Sequence, residues 1–230
     1  MVTIETVKFI QAIFIAHDKK MYVAKSDTMV QVQSSNLNEE LGQVSYVFSD
    51  KTGTLTCNEM IFKKLIVHGT PYGLEQDPTC IKSMPKVTNV DFSDPKFFKD
   101  LANPKKVQYL KFLAICHGIL TEEKDLGNGQ VDIQFNSSSP DEIALANFAK
   151  MCGYEFRGVN TDNEILLRVT DLSKDDRYVD SKIKILYNLE FTSKRKRQSI
   201  ITEEKDGIWL YTKGADNVIL ERTKPAQREE

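Results

Sequence analysis

Apolar residues alternate with polar ones most regularly in the C-terminal third of the chain. They occupy every second position of residues 183–191, a spacing typical of a β-strand with one buried face. The segments 199–202 and 208–212 flank Lys205-Asp206-Gly207, and this arrangement predicts a β-hairpin. The pattern therefore predicts an antiparallel sheet in this part of the chain, followed by a helix over residues 215–222.

Two helices are predicted in the middle of the chain. Asn103 suits a helix N-cap and Pro104 the first helical position, and apolar residues 107, 110 and 114 then fall on one face. The second helix opens at residues 139–142 (Ser-Pro-Asp-Glu) and ends before Gly153. Five of the seven prolines fall within residues 71–104, which predicts mostly loop there, and Gly-Asn-Gly at 127–129 predicts a turn. From about residue 59 onward the pattern indicates an α+β domain.

The N-terminal region predicts a helix and a buried strand. Ten of the fifteen residues of Val2–Ala16 are apolar, but a membrane-spanning helix needs roughly 20 such residues. The segment is therefore either a soluble amphipathic helix, which composition favours, or the last turns of a membrane helix. Residues 44–48 (Val-Ser-Tyr-Val-Phe) predict a short buried strand that stops at Ser49 and Asp50.

Charge and cysteine content exclude some classes of protein. The 230 residues carry 31 basic and 33 acidic side chains, so no overall basic field attracts nucleic acid. The four cysteines stand far apart and form no Cys-x-x-Cys pair, which argues against zinc and indicates free thiols in a reducing compartment. A length of 230 residues allows one large domain or two small ones.

The candidate chemistry lies in the string Asp-Lys-Thr-Gly-Thr-Leu-Thr at residues 50–56. An aspartate at the carboxyl end of a predicted strand can act as a nucleophile toward phosphorus and form an aspartyl-phosphate. Lys51 supplies positive charge, and Gly53 allows backbone N–H groups to approach phosphate oxygens. The plain alternative is a strand end followed by a polar turn.

The string at 50–56 resembles the phosphorylation signature of P-type ATPases, whose phosphorylation domain has the haloacid-dehalogenase-like fold. The resemblance covers nearly the whole chain. Four further segments resemble the type IV branch, the lipid flippases, and these are residues 35–44, 139–142, 190–193 with 196–197, and 213–216. The implied fold is α/β and α+β, namely the first part of a haloacid-dehalogenase-like phosphorylation domain plus an antiparallel-sheet α+β nucleotide-binding domain.

The same resemblance implies a division into domains. Residues 1–18 would be the cytoplasmic end of the fourth membrane helix, and this expectation outweighs the preference from composition. Residues 19–58 would begin the phosphorylation domain, and residues 59–230 would form a truncated nucleotide-binding domain. The chain is then expected to be a fragment of a larger protein.

The resemblance also implies roles for individual residues. Asp50 would be the phosphorylated nucleophile, with Lys51 as a second catalytic residue. Mg²⁺ would be held by the Asp50 carboxylate and the backbone carbonyl of Thr52. The residues implied in ATP binding are Asp50, Lys51, Thr52, Glu142, Phe191, Ser193, Lys196 and Lys213.

Each residue that the resemblance implicates in the nucleotide-binding domain also has a plainer, structural interpretation, which the sequence leaves open. Ser139 and Glu142 have the spacing of a capping box that would stabilise a helix start. Phe191, the last residue of the alternating stripe, would be core rather than a platform for adenine. The basic run at 194–197 would be a solvated turn or a localisation signal, and Lys213 a surface charge.

For the whole protein, the resemblance implies an ATP-driven phospholipid translocase that is integral to a membrane. This segment would lie on the cytoplasmic side. The implied partners are ATP, phospholipid and an accessory membrane subunit, with no nucleic acid. The chain contains no Gly-Asp-Gly and no Asp-Gly-Glu-Thr string, and we expect it to bind ATP weakly by itself and to complete no catalytic cycle.

Three other classes of function compete with this hypothesis. A stand-alone haloacid-dehalogenase-like phosphatase would need a second aspartate two residues after Asp50, where Thr52 stands. A non-catalytic nucleotide-binding fragment fits the same motifs. A nucleic-acid binder built on residues 194–197 is disfavoured by the net charge of -2.

Overall fold

The computed structural model describes residues 2–82, 84–125, 127, 131–172 and 177–224. The chain forms two compact units, Met1–Cys57 and Asn58–Glu230. The turn predicted at 127–129 includes residues 128 and 129, which lie outside the described residues. Within the described ranges, no helix combines the length and the apolar character needed to cross a bilayer.

The first unit, 1–57, is built around one helix, as the sequence predicted. Helix α1 spans Val2–Ala16, and it leaves much of its apolar surface exposed, including Phe9 and Phe14. A short helix α2 covers Asn38–Leu41, after single 3₁₀ turns at Lys19–Met21 and Ser35–Leu37. The polar segment between the helices is otherwise irregular, which agrees with its composition.

The buried strand predicted at residues 44–48 is not present, and this prediction is wrong for the structure. The segment is extended but unpaired, and the Phe48 side chain is 95% exposed. A strand is stabilised by hydrogen bonds to a neighbouring strand and by a layer that covers its apolar face. Among the described residues of the first unit, neither is supplied to 44–48, so the apolar run remains at the surface.

The second unit, 58–230, contains most of the regular structure. Its helices, in chain order, are α3 (Pro95–Phe98), α4 (Pro104–Ile115), α5 (Pro140–Met151) and α6 (Asp216–Leu220). Its strands are β1 (Leu65–Val67), β2 (Thr70–Tyr72), β3 (Leu120–Asp125), β4 (Val131–Asn136), β5 (Tyr154–Val159), β6 (Glu164–Asp171), β7 (Arg177–Leu189), β8 (Arg197–Glu204) and β9 (Gly207–Gly214). The prediction of an antiparallel sheet with helices is confirmed.

Strands β5 to β9 form one antiparallel sheet in chain order, and two separate hairpins, β1–β2 and β3–β4, complete the strands. The predicted hairpin is confirmed, because β8 and β9 pair up to Glu204 and Gly207 across the turn. In β7 the register shifts between Ile185 and Tyr187. This irregularity ends the alternation of buried and exposed residues, so Tyr187 is exposed although the period-two pattern predicts a buried position.

The core of the second unit is rich in phenylalanine. Phe148 of α5 is fully buried, and its ring stacks on Phe62 with centroids 3.8 Å apart. Phe92 and Phe97 pack their rings against the same side chain at 5.1 and 5.6 Å. Such aromatic packing contributes beyond the burial of apolar area alone. The cluster therefore joins α5 to segments that lie more than fifty residues earlier in the chain.

Buried polar groups fix the proline-rich segment at 71–104, which the sequence predicted as mostly loop. Asp94 is 2% exposed, and its two carboxylate oxygens accept hydrogen bonds from the backbone N–H groups of Gly73 (2.7 Å) and Lys96 (2.8 Å). The buried Lys106 ammonium donates to the Phe97 carbonyl at 2.8 Å. The segment is thus held by specific hydrogen bonds, with the one-turn helix α3 inside it.

Candidate functional site

The phosphoryl-acceptor motif predicted at residues 50–56 forms an exposed turn in the first unit. The carbonyl of Lys51 accepts hydrogen bonds from the N–H groups of Leu55 (2.9 Å) and Thr56 (3.1 Å). Gly53 has φ +82°, a conformation that glycine adopts without strain, and a Cβ there would meet no atom within 4 Å. The turn therefore presents its backbone and its polar side chains to solvent.

Asp50 itself is exposed at the start of this turn. One carboxylate oxygen accepts a hydrogen bond from the N–H of Lys51 at 2.9 Å. The described residues contain no group of three or more metal-ligating side chains. Mg²⁺ usually takes only one or two carboxylates from a protein, with phosphates and water supplying the other ligands. The single accessible carboxylate of Asp50 fits such a site.

A second set of predicted residues meets in the second unit, where α5 begins and β9 ends. The Lys213 ammonium and the Glu142 carboxylate lie 2.8 Å apart, with only 23% and 14% of their side chains exposed. The hydroxyl of Ser137 (3.0 Å) and the N–H of Gly118 (3.2 Å) donate to the other carboxylate oxygen of Glu142. Glu142 is thus held by groups from three different parts of the chain.

These contacts decide between two interpretations of Glu142. The Ser139 side chain makes no capping hydrogen bond at the start of α5, and its backbone N–H instead donates to the Ser137 hydroxyl at 3.1 Å. Glu142 faces Lys213 rather than the N-cap backbone. The capping-box interpretation is therefore wrong. The Glu142 carboxylate instead accepts from Lys213, Ser137 and Gly118.

The environment shifts the pKa values of two groups here. Burial raises the pKa of Glu142, but the hydrogen bond and charge of Lys213, helped by Ser137 and Gly118, outweigh it, and the pKa lies below its usual value. Burial lowers the pKa of His117, which directly follows α4, to about 4. At neutral pH the site therefore contains an ionised carboxylate, an ammonium and a neutral imidazole.

Phe191, Ser193 and Lys196 lie in the turn between β7 and β8. All three are exposed, and the Phe191 side chain is 60% exposed, so it is not part of the core as its place in the stripe suggested. The backbone of Lys196 has φ +51°, and its N–H donates to the Thr192 carbonyl at 2.8 Å. The turn thus directs an aromatic ring and a cation toward solvent.

The sheet register brings this turn to the same end of the sheet as Lys213. Leu189 near the end of β7 pairs with Ser199, which pairs in turn with Thr212 of β9. The carbonyl of Lys196 also accepts a hydrogen bond from the N–H of Ala215 at 3.0 Å. A Cβ on Gly214 would lie 2.5 Å from the Lys196 carbonyl oxygen, so only glycine allows this close approach.

Two residues of this end of the sheet were missed by the sequence analysis. Arg195 donates from its guanidinium to the carbonyls of Leu189 (2.9 Å) and Glu190 (2.8 Å), and it therefore fixes the turn rather than offering its charge to a ligand. Gln198 is buried beside Glu142. No sequence signal singled out Gln198, because β8 (Arg-Gln-Ser-Ile-Ile-Thr-Glu-Glu) contains mostly polar residues, and nothing in the basic run distinguished Arg195 from its neighbours.

Two clefts of the second unit lie away from these residues. One, of about 300 Å³, is lined among others by Tyr109, Phe112 and Tyr211. The other, of about 370 Å³, lies between α4 and the sheet. Neither cleft is lined by Glu142 or Lys213.

Comparison with known proteins identifies the class of protein. Residues 107–228 match the family model described as P-type ATPase, cytoplasmic domain N. This match covers more than half of the chain, from α4 to beyond α6, and includes Glu142, Phe191 and Lys213. The chain therefore belongs to the P-type ATPases, which confirms the family predicted from the sequence.

Curated relatives specify the branch. The chain is 38% identical over 240 residues to phospholipid-transporting ATPase IC of Xenopus tropicalis, an alignment that covers 97% of this chain and 18% of the relative. It is 39% identical over 236 residues to phospholipid-transporting ATPase tat-1 of Caenorhabditis elegans (100% and 18%), and 37% identical over 249 residues to phospholipid-transporting ATPase 10 of Arabidopsis thaliana (96% and 20%). The chain spans about a fifth of the length of these relatives, and their names agree with the predicted type IV branch.

Proposed function

We propose that this chain supplies the phosphorylation loop and the nucleotide-binding domain of an ATP-driven phospholipid translocase. The whole protein would be integral to a membrane, with this segment on the cytoplasmic side and with an accessory membrane subunit as partner. The domain limits follow the sequence prediction, with a haloacid-dehalogenase-like phosphorylation domain beginning within residues 19–58. The names of the relatives support lipid as the transported substrate.

The observation that carries the proposal is the Lys213 ammonium, held by Glu142 at the end of the sheet where Phe191 is exposed. An ammonium has three N–H donors, and Glu142 takes one, which leaves two for a nucleotide. Adenine would stack on the exposed face of Phe191, since every base has a π-face. Ser193 and Lys196, in the same turn, would contact the nucleotide beside it.

The chemical step would take place at Asp50 in the first unit. A carboxylate oxygen of Asp50 would attack the γ-phosphorus of ATP, the bond to the bridging oxygen would break, and ADP would leave with the electron pair. Lys51 and the Thr52 hydroxyl would contact the transferring group. Mg²⁺, when bound to the Asp50 carboxylate and the Thr52 carbonyl, would neutralise part of the phosphate charge.

Titration calorimetry of the 230-residue chain with ATP tests the nucleotide site. We expect Lys213→Ala to weaken ATP binding by about tenfold, because a half-buried charged donor to the ligand is lost. Phe191→Ala should have an effect of similar size through lost stacking, about fivefold or more. Lys184→Ala is the matched control, since Lys184 is an exposed lysine of β7 that pairs with Glu203.

The two variants give a clear contrary outcome. If Lys213→Ala and Lys184→Ala bind ATP equally well, Lys213 does not belong to the nucleotide site and the proposal loses its central residue. If the unchanged chain binds no ATP at millimolar concentration, the second unit is not a nucleotide-binding domain by itself.

A further inference from the structure

Gln198 is a buried polar residue whose side chain contacts the Glu142 member of the Glu142–Lys213 pair. Gln198 lies in β8 and is only 5% exposed. It is the register partner of Lys213 on the neighbouring strand β9. A carboxylate only accepts hydrogen bonds and a backbone N–H only donates them. The Gln198 amide therefore turns its nitrogen to Glu142, at 2.8 Å, and its oxygen to the N–H of Gly118, at 3.3 Å.

With this amide in place, the carboxylate of Glu142 has a full set of donors. Lys213 and Gln198 donate to one oxygen, Ser137 donates to the other, and Gly118 shares its single N–H between that second oxygen and the Gln198 amide oxygen. An ionised carboxylate offers about four acceptor positions, so none is left over. Glu142 is consequently fixed in one orientation, while the Lys213 ammonium keeps donors that no side chain of the described residues uses.

We propose that Gln198 is a positioning residue of the nucleotide site, whose amide keeps the Glu142 carboxylate directed at Lys213 and so presents the Lys213 ammonium to the nucleotide. The proposal rests on the proposed function, because it names how one residue of that site is held. Gln198 does not itself touch the nucleotide, since its amide is buried and both of its ends contact protein groups.

Two substitutions test whether Gln198 orients the Glu142 carboxylate or only fills space in the core. Gln198→Met keeps the volume but removes the donor to Glu142. Gln198→Glu keeps the shape and adds a carboxyl group beside an existing carboxylate, so the two share a proton up to a pH above the usual range of a carboxyl. While protonated, the introduced carboxyl donates to Glu142 as the amide does. Once ionised, it repels Glu142.

Two buried titratable groups beside Glu142, His117 and Cys116, keep their charge between pH 5 and pH 8. Lys213 lies on β9, and His117 and Cys116, which follow α4, also interact electrostatically with Glu142. Burial keeps the His117 imidazole neutral above a pKa of about 4, and burial raises the pKa of the Cys116 thiol to about 11. A new titration between pH 5 and pH 8 would therefore come from the introduced carboxyl and Glu142.

The experiment combines two measurements on the 230-residue chain, namely a carbon-13 NMR titration of the Glu142 carboxyl and calorimetry with ATP. We expect Gln198→Met to raise the pKa of Glu142 toward its usual value and to weaken ATP binding about fivefold. Gln198→Glu should bind ATP nearly as well as the unchanged chain at pH 5 and about tenfold more weakly at pH 8, each compared at the same pH. Gln134→Met, at an exposed position of β4, should change neither measurement.

The outcomes distinguish this proposal from the proposed function. If the unchanged chain binds no ATP, the nucleotide site fails, but the Glu142 titration in Gln198→Met still decides whether Gln198 holds the carboxylate. An unchanged Glu142 titration overturns the proposal, and so does a Gln198→Glu affinity ratio that stays constant from pH 5 to pH 8. If Gln198→Met does not fold, Gln198→Glu, which has nearly the same shape, supplies the decision.

Discussion

The two candidate sites are held in opposite ways. Asp50, in the first unit, is exposed, and its carboxylate accepts a hydrogen bond from the next residue in the chain. Glu142, in the second unit, is largely buried, and its donors come from residues as far away as Lys213. The geometry of the Asp50 turn is thus set by its local sequence, whereas that of Glu142 depends on the packing of the whole unit. Mutations should therefore affect the two regions very differently.

The largest difference in the free energy of unfolding is expected between alanine substitutions of two phenylalanines, Phe148 and Phe48. Phe148 is fully buried against other rings, and Phe148→Ala should lower the free energy of unfolding of the second unit by about 3–5 kcal/mol. Phe48 is 95% exposed, and Phe48→Ala should leave the free energy of unfolding unchanged within error. Urea unfolding followed by fluorescence of Trp209, the single tryptophan, reports on the second unit, and far-ultraviolet circular dichroism of helix α1 reports on the first unit, which contains Phe48.

The contrary result for this pair is also informative. A loss of stability for Phe48→Ala close to that for Phe148→Ala would mean that residues 44–48 are buried in solution. The strand predicted from their sequence would then be present.

Local signals in the sequence predicted much of the second unit. Asn103 and Pro104 marked the start of α4, and the Asn103 side chain indeed accepts from the N–H of Lys105 at 3.0 Å. The hairpin at 205–207 followed from its turn residues. These features depend on hydrogen bonds between neighbours in the chain, which a sequence pattern records directly.

Features that depend on distant contacts were predicted poorly. The period-two pattern indicated a buried Tyr187, but the register shift in β7, which depends on pairing with β8, exposes it. The apolar run at 44–48 indicated a strand, although burial requires a partner that composition does not reveal. The contacts of Gln198 and Asp94 also join separate segments. A single sequence, without a three-dimensional arrangement, contains no direct record of such contacts.

The second-largest effect concerns the pH dependence of the second unit. The unfolded chain protonates His117 below about pH 6.5, while in the folded unit burial keeps the imidazole neutral down to about pH 4. The contribution of the neutral His117 imidazole to the free energy of unfolding is therefore complete above pH 6.5 and is lost as the pH falls from 6.5 to 4. We expect a loss of about 3 kcal/mol over this range, measured by urea unfolding at each pH.

Two variants isolate this effect. His117→Gln should remove most of the dependence between pH 6.5 and pH 4, whatever its stability at neutral pH. His68→Gln, at an exposed histidine, should leave the dependence as it is in the unchanged chain. If both variants retain the full dependence, groups other than His117 are responsible. Glu142 is not such a group over most of this range, because its pKa lies below the unfolded value of 4.5 and its contribution is lost only as the pH falls below that value.

A smaller effect is expected from the two ion pairs that hold β9 and β7. The Glu142–Lys213 pair is largely shielded from solvent, and a double-mutant cycle should give a coupling of about 1.5 kcal/mol. The Lys184–Glu203 pair has the same 2.8 Å distance but more than half of each side chain is exposed, and it should show no measurable coupling in 0.15 M salt. Equal coupling in the two cycles would contradict the view that burial distinguishes them.

The smallest effect is expected at Asp50, although its chemistry is the most specific prediction from the sequence. Because Asp50 makes few contacts, Asp50→Asn should leave the unfolding of the second unit unchanged. When the chain is incubated with Mg²⁺ and γ-labelled ATP, we expect no stable label before or after this substitution, since phosphoryl transfer requires more positioning groups than one exposed carboxylate provides. Acid-stable, hydroxylamine-sensitive label that is lost in Asp50→Asn would show instead that the turn at 50–56 and the second unit suffice for the transfer. That result would reverse the contrast between the two sites, because the locally formed turn would then be as well prepared for its reaction as Glu142 is for its ion pair.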